Sequence, residues 1–189
     1  MNDLSLYNPN RPWMKTGDLL TYENEEGLIP ILIHFWSKAN HAGLVLAPKE
    51  FEGEANRRWT LEAVGTGVRV AYLSNILERV HGRVYWHPLK PEYDHLRSEI
   101  GAWALCHAGV TKYDFWSLLK YPFKWVSADL SKLICSELVF LAWKSQGIVT
   151  GDKIPSPSAL EKLGVTMPPV LIVESLPLES IPLNPILAV

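Results

Sequence analysis

Two cysteines, Cys106 and Cys135, are the only thiols in the 189-residue chain. Two are too few for a disulfide framework, and in a reducing compartment both stay free. Neither has a second ligand at C-x-x-C or H-x-x-x-H spacing, so neither a metal nor a cofactor is expected. Cys135 stands in Ser131-Lys132-Leu133-Ile134-Cys135-Ser136-Glu137-Leu138-Val139, and residues 121–129 before it read as loop or frayed helix. That puts Cys135 near a helix start. Free N–H groups and a partial positive charge there favour the thiolate, the form that attacks. The same N–H groups can receive the oxyanion that forms when a carbonyl is attacked. A cysteine on an apolar helix is by itself more often core than nucleophile, so the base has to be found as well.

His41 supplies one. It opens the strand-like run His41-Ala42-Gly43-Leu44-Val45-Leu46-Ala47, directly after Ser37-Lys38-Ala39-Asn40. A histidine at a strand start can stand at a sheet edge beside a cleft. A second strand, Trp59-Thr60-Leu61-Glu62-Ala63-Val64, follows at the spacing of a hairpin with a long connection. Alternation places Thr60, Glu62 and Val64 on one face. A carboxylate among Leu61, Ala63 and Val64 is costly unless paired. If Glu62 shares a face with His41, it can hold the imidazole in the useful tautomer. Cys135, His41 and Glu62 would then be nucleophile, base and orienting group.

The other candidates are weaker. Cys106 and His107 are adjacent on a helix, where neighbours do not face each other, so Cys106 is expected in the core. His34, His81, His87 and His95 have no evident partners and read as surface or packing residues. Asp18, after Gly17, reads as a turn or cap. The aromatic group Tyr113, Phe115, Trp116, Tyr121, Phe123 and Trp125 reads first as core and second as the wall of an apolar cleft.

The elements that must position these residues can be read along the chain. Residues 1–13 form an arm with turns at Asn8-Pro9 and Arg11-Pro12, and residues 15–22 form a turn that opens a strand. A short helix is expected from Pro30 within residues 28–38. Further strands are expected at Val68-Arg69-Val70 and Arg83-Val84-Tyr85-Trp86-His87. Helical spacing runs through residues 72–80, 93–108, 114–119 and 133–146, the last closed by Gly147. Ser156 and Pro157 suit the N-cap and first position of a short helix. The proline-rich tail from Pro168 reads as an edge strand and then an arm. Together these describe one α+β domain over residues 1–189: a core at about 16–165, flanked by arms, with a small antiparallel sheet and helices on one side.

Composition narrows the function. Lys and Arg number 18 against 20 Asp and Glu, so no basic stripe suggests nucleic acid and no polybasic run suggests an anionic membrane. The longest apolar run, residues 28–36, is interrupted by Pro30 and His34 and is too short to span a bilayer. The first ten residues lack the pattern of a signal peptide, so a cytoplasmic location is expected. Nothing in the composition sets the oligomeric state.

In chain order, Gly17-Asp18-Leu19-Leu20, His41-Ala42-Gly43-Leu44-Val45, Leu61-Glu62-Ala63, Lys112-Tyr113-Asp114-Phe115 and Cys135-Ser136-Glu137-Leu138-Val139 resemble the permuted NlpC/P60 papain-like superfamily. The nearest likeness is to its YiiX-like branch. Lecithin retinol acyltransferase-like proteins are more distant, and that branch often carries a second histidine where Glu62 stands. The resemblance covers about residues 16–160, and Ser156-Pro157 fits an element that follows the cysteine helix in this group. It implies a circularly permuted fold in which the histidine precedes the cysteine. It also implies a Cys135–His41–Glu62 triad, with Tyr113 near the cleft as a substrate contact. The implied activity is a cysteine hydrolase cleaving an amide bond, in a cell-wall-type peptide or an N-acyl or lipid amide. The alternatives are an acyltransferase or thioesterase using the same residues, and a binding module that has lost catalysis.

Overall fold

Leu19, Leu44 and Leu61 stand side by side on three neighbouring strands, and all are fully buried. Leu20 and Val45, one residue along, are equally buried but belong to a separate apolar cluster. Strand side chains alternate between faces, so both faces of the sheet are covered. The computed structural model describes residues 1–24, 38–47, 57–113 and 132–175.

Among these residues the central element is a six-stranded sheet, ordered β4-β3-β2-β1-β5-β8 and antiparallel at every pairing. Its strands are β1 (Leu19–Asn24), β2 (His41–Leu46), β3 (Trp59–Val64), β4 (Gly67–Tyr72), β5 (Gly82–His87) and β8 (Val170–Glu174). Two short strands, β6 (Lys112–Tyr113) and β7 (Lys132–Leu133), pair in parallel. The helices are α1 (Tyr7–Asn10), α2 (Leu73–Leu77), α3 (Arg97–Leu105), α4 (Cys135–Ser145) and α5 (Pro157–Leu160). The class is α+β, as expected.

One face of the sheet packs on α4 and α3. Leu138, Val139, Ala142 and Trp143 of α4 meet Ile100 and Ala104 of α3 and the Leu44–Leu61 side of the strands. The other face is covered by Tyr7 of α1, Met14, and Leu73 and Leu77 of α2. Helices on one side only is therefore corrected. The run Ala42-Gly43-Leu44-Val45-Leu46 is apolar without alternation, which is the pattern of a strand buried on both faces.

The expected N-terminal arm is also corrected. Residues 7–13 wind into α1 and a 3₁₀ turn, Arg11–Trp13, whose backbone Arg58 holds. Its guanidinium donates to the carbonyls of Met14 (2.7 Å) and Pro12 (3.0 Å). The expected helix over 93–108 divides into a 3₁₀ segment, Pro91–Leu96, and α3. The short helix opening at Ser156 forms as α5, with the Ser156 hydroxyl accepting the Ala159 N–H (3.2 Å). The expected edge strand forms as β8. The helices read at 28–38 and 114–119 lie outside the described residues, apart from Lys38. Among the described residues no helix is long and apolar enough to cross a membrane.

Gly17 locks β1 to this core. Its φ of +91° suits glycine, and a Cβ there would lie 3.3 Å from the Ile100 side chain. Its carbonyl accepts the Trp143 indole N–H (3.1 Å), which ties the turn before β1 to the helix that begins at Cys135.

Candidate functional site

The helix α4 begins at Cys135 because Ile134 is extended (φ −93°, ψ 164°) and the chain turns helical immediately after it. Isoleucine has no side-chain acceptor, so the cap is one-sided: Glu137 Oε2 accepts the Ile134 N–H at 3.3 Å. Leu138 N–H makes the first intrahelical bond, to the Ile134 carbonyl (3.1 Å). The N–H groups of the first turn are thus left out of the helix ladder, as at any helix start.

His41 opens β2 opposite Tyr22 of β1. The lead-in to the strand is fixed from two sides. Asn40 N–H donates to the Tyr22 carbonyl (2.9 Å), and Ala39 N–H donates to the Ser158 hydroxyl of α5 (2.7 Å). Lys38 pairs with Glu23 (3.1 Å). The Ser156-Pro157 helix therefore positions the segment that delivers His41.

Glu62 lies on β3, and the register pairs Val45 with Thr60 and Leu44 with Leu61. Thr60, Glu62, Gly43 and His41 consequently share a face, the arrangement expected from alternation. Glu62 Oε2 sits 2.6 Å from His41 Nε2. An ionised carboxylate only accepts, so Nε2 carries the proton and Nδ1 is left for the other partner. That partner is Cys135, whose sulfur is hydrogen-bonded to the His41 ring and also receives the N–H groups of Ala42 and Ser136. The structure thus brings Cys135, His41 and Glu62 into one line.

The line is largely buried, with the Glu62 side chain 3% exposed and that of His41 17%. Burial opposes charge on each member, and the pairings overcome it. Burial would lower His41, but the Cys135 thiolate and then Glu62 raise it to about 10. Burial would raise the Cys135 thiol, but the His41 charge and hydrogen bond and the two backbone N–H groups hold it below the ordinary value. Burial would raise Glu62, and His41 and then Arg69 hold it low. These directions all favour a thiolate–imidazolium–carboxylate set over the neutral forms.

Three residues around the line were not singled out from the sequence. Tyr22 packs its ring 5.1 Å from that of His41. Thr60 lies two residues before Glu62 on the same face. Gly43 leaves the space between them open, since a Cβ there would be 2.8 Å from Thr60 Oγ1. The available signals were a glycine two positions after the histidine and a threonine two before the glutamate. Tyr113 forms part of β6, but its side chain lies outside the described residues, as do the aromatic residues at 115–125.

One expectation is overturned, and another, the packing role of His87, is sharpened. Cys106 is exposed, not core. Its sulfur does meet His107 Nδ1 (3.3 Å), at the end of α3 just past Leu105. That nitrogen is 2.9 Å from the Trp103 carbonyl, to which it donates its proton, and the Cys106 thiol donates to the same carbonyl (2.9 Å). The ring nitrogen is therefore not available as a base for Cys106.

His87 is not without partners. It is 1% exposed, and its Nε2 lies 2.8 Å from Thr21 Oγ1. The Glu161 carboxylate, at 3.9 Å, is too far for a hydrogen bond. Burial holds the ring neutral, lowering it from 6.5 to about 4. As pH falls from 6.5 to about 4, the unfolded chain takes up a proton that the folded chain refuses. Stability should fall through that window by up to about 3 kcal/mol and lose nothing further on this account below it. Urea midpoints measured against pH should show this fall in the wild type and a flatter curve in His87→Gln.

Comparison with known proteins is consistent with this architecture. No family model matches the chain, and no curated protein does. Among solved structures it is similar to one described as the metalloprotein yiiX of Escherichia coli O157:H7, with a TM-score of 0.55 and 18% identity over 85% of this chain and 88% of that one. The likeness is one of fold. Among the described residues no three His, Cys, Asp or Glu side chains are grouped so as to hold a metal ion, so those residues do not fit such a group.

Proposed function

We propose that the chain is a cysteine hydrolase that cleaves an amide bond through Cys135, His41 and Glu62. The observation that carries this reading is the buried line of sulfur, imidazole and carboxylate at the start of α4. The Cys135 thiolate attacks the carbonyl carbon, and the oxygen takes up the negative charge. Backbone N–H groups of the first helical turn are suited to receive that oxyanion. His41 gives its Nδ1 proton to the leaving amine as the carbon–nitrogen bond breaks, which leaves a thioester on Cys135. Neutral His41 then takes a proton from water. The hydroxide adds to the thioester, the acid departs, and the thiolate–imidazolium pair is restored. Glu62 keeps the Nε2 proton in place throughout, so Nδ1 always faces the sulfur.

The fold we infer is a single permuted papain-like domain of NlpC/P60 type. Its support is the chain order, histidine strand before cysteine helix, together with the likeness to yiiX. The substrate we infer is a cell-wall-type peptide or an N-acyl amide, with Tyr113 as a contact beside the cleft. An activated acyl ester tests the chemistry. Intact mass should show one acyl group, mapped to Cys135, which disappears with time as water releases it. Peptide and N-acyl amide panels then identify the class turned over. Failure of both acylation and turnover, in protein shown to be folded, would leave the fold as a binding module.

A further inference from the structure

Glu62 has two oxygens, and only one is used. Oε2 accepts from His41 at 2.6 Å. Oε1 is buried without a hydrogen bond, and the nearest Arg69 nitrogen is 3.8 Å away. A buried carboxylate oxygen with no donor is costly, and the cost falls on the charged form that His41 needs.

Two hydroxyls lie on the same sheet face. Thr60 is two residues from Glu62 on β3. Tyr22 stands on β1, on the far side of β2, and its hydroxyl reaches across the strand towards Thr60 and within the field of Glu62. Both hydroxyls are buried, and the Tyr22 hydroxyl lies close enough to Thr60 to interact with it, while neither is aligned on Oε1. Gly43 lies on β2 between them, opposite Leu20 and one diagonal from Tyr22. A side chain at Gly43 would crowd this place, since the first atom added would already lie 2.8 Å from Thr60 Oγ1.

We propose that Tyr22 and Thr60 are positioning residues that hold Glu62, and through it His41, by presenting their hydroxyls to Oε1 across the gap left by Gly43. This inference rests on the hydrolase reading above. The Tyr22 hydroxyl keeps its proton, because burial and then the Glu62 charge push it well above its ordinary value, so it is a permanent donor. It can rotate to donate to Oε1 directly or to Thr60, whose own proton then turns to Oε1. Either way the carboxylate stays ionised and aligned while the imidazole gives up and regains its Nδ1 proton. The ring does separate work by packing against His41.

Among the described residues, the groups that set charge at this place are Cys135 from α4, Glu62 from β3, Arg69 from β4, Tyr22 from β1, and Tyr7 of α1 behind Tyr22. Among them Tyr22→Phe removes one hydroxyl and keeps the ring. The measurement is the pH profile of iodoacetamide alkylation at Cys135, resolved from Cys106 by peptide mass. Tyr22→Phe should lower the rate at mildly acidic pH by about three- to tenfold, the effect of one hydrogen bond. The rate should return to that of the wild type at alkaline pH, where the free thiol ionises unaided.

Thr60→Val should act in the same direction, and it carries the test if the tyrosine variant does not fold. Adding Tyr22→Phe to Glu62→Gln should change nothing further, because the charge it serves is gone. Profiles of Tyr22→Phe and Thr60→Val that superimpose on the wild type would overturn the positioning role and leave the nucleophile standing. A wild-type protein in which Cys135 reacts no faster than Cys106 at acidic pH would overturn both readings.

Discussion

Cys135→Ala will abolish labelling by a thiol-reactive acyl probe at mildly acidic pH, and Cys106→Ala will leave it intact. The contrast follows from the surroundings of the two sulfurs. Cys106 is exposed, donates its proton to a carbonyl, and has beside it an imidazole nitrogen that is already engaged. Cys135 is 3% exposed, and burial by itself would favour the inert thiol. The His41 ring, with Glu62 on its far side, is held as an imidazolium against the sulfur, and two backbone N–H groups point at the same atom. The pair offsets the burial, so the buried thiol is expected to react ahead of the exposed one. The probe signal in Cys135→Ala should fall below about a thousandth of wild type. His41→Ala should lose the acid-pH reactivity while keeping slow labelling at alkaline pH, where any thiol ionises. Labelling that follows Cys106 instead would end the assignment.

Much of this site was legible before any coordinate. Alternation predicted that Thr60 and Glu62 share a face, and the cost of an unpaired carboxylate among Leu61 and Ala63 predicted that Glu62 has a partner. The loop or frayed-helix pattern read at residues 121–129 predicted Cys135 near a helix start. The gaps have specific causes. A single strand's pattern does not reveal its neighbours, so Tyr22, on the other side of β2 from Glu62, was invisible as a partner. The same blindness hid Thr21 from His87, which meet only because β1 and β5 pair with Thr21 opposite Tyr85. The exposure of Cys106, at the end of α3, depends on what the rest of the fold leaves uncovered, which the pattern of one helix does not reveal. Ser158 drew no notice because its role, holding Ala39, joins residues 119 apart in the chain.

Asp18 is the largest such gap, and it leads to the strongest stability prediction. Read as a turn residue, it does accept the Lys15 N–H (2.9 Å). It also accepts the Trp86 indole N–H (2.8 Å), the Leu89 N–H (2.9 Å) and Arg97 Nη1 (2.7 Å). Its backbone carbonyl receives Val45 N–H, which registers β1 against the strand that carries His41. Arg97 returns the favour on α3: its guanidinium also donates to the carbonyls of Thr16 (2.7 Å) and Leu89 (2.9 Å) and to Asp94 (2.6 Å). Even so paired, the carboxyl of Asp18 is raised, because burial outweighs Arg97 and the N–H donors. Arg97→Met keeps most of the side-chain stem and removes the charge, stranding a buried carboxylate. It should destabilise the protein by about 3–5 kcal/mol in urea unfolding at neutral pH. Arg97→Lys, with its charge but without the planar fork, should fall between. The pH dependence separates the stranded charge from lost packing. Without Arg97 the folded-state value of Asp18 rises further, so the folded variant takes up a proton at a higher pH than the unfolded chain does. Its deficit should therefore narrow as pH falls through that value, whereas a deficit due to packing would stay constant.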